Sequence, residues 1–110
     1  MLNREFDVDG RVLRMDVTGE LRHVAMALIE NGREMMARTM VKKLYSVGER
    51  RTSNCRGLAN KRRLDMVRLN AIKNCVFSLL PCAATDRDKL WSACIRSIDS
   101  MNRDLARRAH

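Results

Sequence analysis

The stretch from Trp91 to Arg108, WSACIRSIDSMNRDLARR, constrains this chain more than any other. Trp91, Cys94, Ile98, Met101 and Leu105 recur at steps of three, four, three and four, the rhythm of one helical face. At about 100° per residue, Arg96, Arg103 and Arg107 fall together on another face, with Ser100 beside them. Such a helix must bury its apolar stripe against something, and the rest of the chain offers mainly more helix. The composition is aliphatic and rich in methionine, with 8 Met and only 4% aromatic residues, which suits helices better than strands. One Pro and 5 Gly leave little material for the many turns of an all-β fold. The expected fold is therefore all-α: a compact bundle of four to five helices, with a short β-hairpin or arm ahead of it.

The remaining elements follow from local chemistry. Between Glu5 and Asp16, apolar Phe6 and Val8 alternate with acids, Asp9-Gly10 offers a type I′ turn, and Val12 resumes the pattern. Residues 1–16 are thus expected as a hairpin or arm, and residues 17–108 as the helical domain, which at 110 residues overall is one domain with room for a core. Thr18 is a candidate N-cap for a first helix whose inner face carries Leu21, Val24, Ala25 and Leu28. Asn31-Gly32 is its stop signal. A second helix, roughly 33–45, turns Met36, Met40, Val41 and Leu44 inward. From 64 to 80 runs the best-defined core helix. Asp65 can cap it, Leu64 and Leu69 can form a hydrophobic staple, Leu69, Ile72, Val76, Leu79 and Leu80 keep helical spacing, and Pro81 ends it. Thr85 is expected to open the last helix, with Asp86 and Asp88 in a first turn where the helix dipole favours acids.

Between these helices, Ser46–Arg63 (SVGERRTSNCRGLANKRR) has few apolar residues and no period. Six Lys/Arg stand there against the single acid Glu49, so the sequence suggests a basic loop. Charge is segregated along the whole chain. Of a net charge of +9, residues 1–45 contribute almost nothing, with eight Lys/Arg against seven Asp/Glu, whereas residues 46–110 hold fourteen against six. An excess gathered in this way is the footprint of a polyanionic partner. Arg107 and Arg108 also suit the C-terminal turn of a helix; Arg96 and Arg103, in mid-helix, need another reason.

Other chemistries find no footing. The glycines are isolated, so there is no phosphate-cradling loop, and neither a nucleophile elbow nor a zinc-protease helix motif occurs. With 2 His and no cofactor signature, the chain is expected to be no enzyme and to need no cofactor, metal or small-molecule substrate. None of the four cysteines pairs at CxxC spacing. Cys75 and Cys94 lie on apolar helix faces, the pattern of reduced core thiols. Met1–Asp16 is too charged for a signal peptide, and no apolar run approaches the roughly 20 residues of a membrane span.

The second half resembles the BEN domain, a small all-helical module of chromatin-associated and transcription factors that also occurs in poxvirus-type proteins. The residues that carry the resemblance are Leu64-Asp65, Leu69 and Ile72, the helix ending at Leu80-Pro81, then Trp91, Cys94, Ile98, Ser100 and Arg103. It covers roughly residues 17–108 and is most specific from Trp91 to Arg103. Three positions depart from the common pattern: Asp99 replaces the Asn that many members carry after the Ile, and Met101-Asn102 stands where Lys-Cys is common.

The resemblance implies a module that binds double-stranded DNA in transcriptional regulation, chromatin or viral DNA organisation, or one that mediates protein contacts or self-association. It implies a nuclear location, or a cytoplasmic viral factory for a viral chain. Where members bind DNA, the last helix enters the major groove and basic loops hold the backbone. Carried onto this chain, Arg96, Asp99, Ser100, Arg103 and Arg107 are the groove candidates, and Arg50, Arg51, Arg56, Lys61, Arg62 and Arg63 the candidates for phosphate or minor-groove contact. Trp91 could instead stack on single-stranded bases, but its place in the apolar stripe with Ile98 argues for a core role.

Overall fold

A computed structural model describes residues 3–8, 11–16 and 29–108. The expected first helix, with Thr18, Leu21, Val24, Ala25 and Leu28, and the Asp9-Gly10 turn lie outside the described residues. Near the N-terminus, β1 (Asn3–Val8) and β2 (Arg11–Asp16) pair antiparallel, with Val8 opposite Arg11, so the expected hairpin is present.

Four α-helices follow among the described residues: α1 (Gly32–Leu44), α2 (Val47–Thr52), α3 (Met66–Leu79) and α4 (Arg87–Arg108). The fold is all-α in character. A 3-10 turn at Ile29–Asn31 leads into α1 through Gly32, whose φ of +86° is in the left-handed region that glycine enters without penalty. Helix α3 begins as its sequence suggests: Asp65 accepts a hydrogen bond from the Arg68 N–H at 2.9 Å, and the stapling residues Leu64 and Leu69 are buried. Beyond its C-terminal end, the Arg33 guanidinium donates to the carbonyls of Leu80 (3.0 Å) and Pro81 (2.8 Å), giving partners to carbonyls that a helix end leaves free.

The core is the seam where α1, α3 and α4 meet. Met36, Met40 and Val41 of α1, Ile72 and Val76 of α3, and Cys94 and Ile98 of α4 are fully buried. Met36 and Met40 are therefore core filling, while Met35 is left at the surface. Trp91 is buried as well. Its ring meets Phe77 edge-on, with centroids 6.4 Å apart at 68°, a favoured aromatic geometry. Cys55, Cys75 and Cys94 are buried. Burial pushes the Cys94 thiol up to about 11, and burial followed by the charge of Asp99 raises that of Cys55. Both pack as small protonated hydrophobes rather than nucleophiles.

Two expectations need correction. Thr85 does not open α4. It sits in a 3-10 turn, Ala84–Asp86, and the α-helix starts at Arg87, so Asp88 but not Asp86 lies in its first turn. The basic segment is not merely a loop either. Ser46 and Glu49 form a reciprocal capping box, the Glu49 N–H on Ser46 Oγ at 3.1 Å and the Ser46 N–H on Glu49 Oε1 at 2.9 Å. That box starts α2, and two-residue strands β3 (Ser53–Asn54) and β4 (Arg62–Arg63) then pair in parallel.

Candidate nucleic-acid interface

The outward face of α4 is set by its inward one. With Trp91, Cys94, Ile98 and Asn102 buried, helical geometry turns Arg96, Ser100, Arg103 and Arg107 to the opposite side, and all four are exposed. Arg107 pairs with Asp104 one turn back. Arg96 and Arg103 are exposed and have neither ion pair nor hydrogen bond among the described residues.

A trough runs along each flank of this ridge. On one side, a concavity of about 390 Å³ between α4 and α1 is lined by Arg38, Lys42, Ser100, Asp104 and Arg108, with Arg50, Met101 and Leu105 also contributing. On the other, one of about 260 Å³ lies between α4 and the β3–β4 segment, lined by Lys61, Arg103, Ala106 and Arg107. Lys61, a candidate from the sequence, is thus brought beside Arg103 and Arg107. Arg38 and Lys42 were not anticipated. Their signal was available, because they stand four apart on α1 and away from the Met36/Met40 face, but the near-neutral balance of residues 1–45 masked it.

The remaining candidates divide. Arg51, Arg56, Arg62 and Arg63 are exposed. Arg50 is not: it is 8% exposed and donates from Nε to Asn102 Oδ1 at 3.0 Å. It is a strut between α2 and α4, which corrects its expected place among the phosphate-contacting cations. Burial draws its pKa below the usual arginine value. The Asn102 Nδ2 group behind it is buried without a hydrogen-bond partner among the described residues. Asp99 also departs from the groove-contact role. It is half-buried, and its Oδ1 accepts from the Cys55 N–H at 2.9 Å, so its carboxylate anchors the incoming segment to α4.

A polar junction that sequence reasoning missed holds α2 in place. Arg68 is buried. Its guanidinium donates to both carboxylate oxygens of Glu49, to the Leu44 carbonyl (2.8 Å) and to Asp65 Oδ2 (3.4 Å), and it lies 4.2 Å from the centre of the Tyr45 ring. Tyr45 in turn donates from its hydroxyl to the Asp65 carbonyl at 2.6 Å. The bond from Arg68 is the main cause that holds the Glu49 carboxyl below its ordinary value. Glu49, the lone acid in a run of six cations, was the available clue.

Chemically, this surface offers guanidinium and ammonium donors along the α4 ridge, from Arg38 and Lys42 on one flank and from Lys61 on the other. Among the described residues no three His, Cys, Asp or Glu side chains converge as metal ligands, and no helix is long and apolar enough to cross a membrane. No protein-family model matches the chain, and no curated protein matches it.

Proposed function

We propose that this chain is a double-stranded DNA-binding module that lays the outward face of α4 in the major groove. One observation carries the reading: an arginine ridge on a single helix is flanked on one side by Arg38 and Lys42 of α1 and on the other by Lys61 of the β3–β4 segment. A major groove about 12 Å wide accepts one helix and is bordered by two phosphate backbones. Arg96, Ser100 and Arg103 then face the base edges. Lys61 and Arg107 meet one backbone, and Arg38, Lys42 and Arg108 the other. Arg51, Arg56, Arg62 and Arg63 extend the positive field beyond the groove. The resemblance to the BEN domain supports the same docking and suggests a role in transcriptional regulation, chromatin or viral DNA organisation.

An NMR titration with mixed-sequence duplexes at two salt concentrations tests it. Expected are shifts centred on α4 and the two troughs, with affinity falling as salt rises by about 0.9 log units per log unit of salt for each phosphate contacted. Arg103→Ala weakens binding while the dispersed spectrum persists, and Lys42→Ala lowers the salt slope by about one contact. A spectrum unmoved by micromolar duplex at low salt would sink the proposal.

A protein-interaction role is the second reading. Val47, Met66 and Val67 are exposed on the first turns of α2 and α3, two helices that the Glu49–Arg68 pair joins. Sedimentation that depends on protein concentration and is reduced by Val67→Ser would favour self-association through that surface.

A further inference from the structure

The segment between β3 and β4 is built to hold one side chain in place. Asn54 grips the backbone of Leu58 from both sides, accepting from its N–H on Oδ1 at 2.9 Å and donating from Nδ2 to its carbonyl at 2.8 Å. The Lys61 N–H donates to the same carbonyl at 3.1 Å. On either side of Leu58 the backbone is left-handed: Gly57 has φ +71°, Ala59 +56° and Asn60 +63°. That region disfavours alanine, and such conformations persist where the surroundings over-determine them. Gly57 also packs so closely that a Cβ there would come within 3.2 Å of Arg63 Cβ. The base of the segment is fastened to α4 by the Cys55–Asp99 bond and to its own return strand by the Leu64 N–H on the Asn54 carbonyl at 2.9 Å.

All this rigidity presents an apolar tip to water. Leu58 is 59% exposed, more than any other large hydrophobic among the described residues, and its own backbone groups are already satisfied within the turn. The exposed Arg56, Arg62 and Arg63 belong to the same segment. Lys61, one turn away, lines the trough with Arg103 and Arg107. Leu58 is thus bonded through its carbonyl to the residue that walls the trough beside the arginine ridge. On a duplex, what flanks a helix in the major groove meets the phosphate backbone and, beyond it, the minor groove.

We propose that Leu58 is an apolar wedge that enters the minor groove beside the α4 site, clamped by Asn54 and flanked by Arg56. The proposal rests on the DNA-binding reading above. A minor groove about 6 Å wide excludes a helix, but it admits a single leucine against the apolar sugar walls. Wedges of this kind partly unstack a base step. Leu58 accordingly makes the module prefer duplexes with a flexible pyrimidine–purine step, such as TA, on the flank facing the loop.

The test uses the full chain and duplexes in which 2-aminopurine replaces the adenine of a TA step at successive positions. Wild-type protein is expected to raise the fluorescence at one flanking position, the signature of unstacking. Leu58→Ala abolishes the rise and weakens binding about tenfold with the salt slope unchanged, since no charge is lost. Leu58→Met retains the rise, and Asn54→Ala, which releases the clamp, diminishes it. Leu58 is exposed, so the far-ultraviolet circular dichroism of the Leu58 variants should match wild type. If wild type binds duplex but Leu58→Ala keeps the same affinity and fluorescence, the wedge is wrong and the DNA reading stands. If wild type leaves duplex unbound at low salt, both fall together.

Discussion

Helix α4 is held by two different kinds of contact. Toward α1 and α3 it is buried through Trp91, Cys94 and Ile98 in an aliphatic seam. Toward α2 and β3 it is joined by single directional bonds, Asn102 to Arg50 and Asp99 to the Cys55 N–H. The seam stabilises by removing apolar area from water, which depends on volume far more than on angle. The polar side contributes less energy per contact but sets where each element lies, because a hydrogen bond weakens steeply off its preferred geometry. The outward arginine row and the Arg38/Lys42 wall owe their positions to the first region, and the Lys61 wall owes its position to the second.

That contrast can be broken first at the seam. Trp91→Ala should cost about 3–5 kcal/mol, the loss typical of a large buried aromatic, read by urea denaturation. A cost below about 1 kcal/mol would mean the ring contributes little packing, and the difference between the two regions would collapse.

Arg68→Met should cost about 2–3 kcal/mol. It removes the bonds to Glu49, Leu44 and Asp65 while keeping most of the apolar stem. The loss stays below that of a fully buried pair because the Glu49 side chain is 37% exposed and regains water. The pH dependence sharpens this result. The folded-state pKa of Glu49 lies below its ordinary 4.5. The pair's stability is therefore present above about pH 4.5 and is lost as pH falls through the lower, folded-state value. Thermal melts between pH 7 and pH 3 should show a shallower acid decline for Arg68→Met than for wild type. Identical declines would place the acid sensitivity elsewhere.

The smallest expected change comes from Asp99→Ala, about 1–2 kcal/mol for a charge-assisted bond whose donor is the N–H of buried Cys55. Its signature is local: amide exchange should accelerate in residues 55–61 while the α1–α3–α4 seam remains protected. Acceleration spread evenly through the core would show that the two regions do not act separately.

Much of the seam was legible beforehand. The Asp65 cap, the Leu64–Leu69 staple, the stop at Pro81 and the three-four spacing from Trp91 to Ile98 are local signals that share one outcome. The capping box that starts α2 was equally local, but Ser46 and Glu49 were hidden by a run of cations with no apolar period. The interface was legible only in part. Arg96 and Arg103 could be placed by helical angle alone. Arg50, Arg51 and Arg56 look alike in sequence, and only the packing of α2 turns Arg50 inward to Asn102. Asp99 lies near the arginine face by the same angular rule, yet the chain passing at Cys55 claims its carboxylate.

The sequence by itself determined that the last helix has an apolar face and a basic one, because both stripes follow from spacing along a single helix. It also determined the ends of α3 and the concentration of charge in the second half. Only the tertiary structure decided which cations are struts and which are free, and that Arg38, Lys42 and Lys61 stand on either side of the ridge. Those assignments depend on contacts between residues far apart in sequence, 52 positions for Arg50 and Asn102, where partner choice is set by how elements pack and by which buried donors must be satisfied.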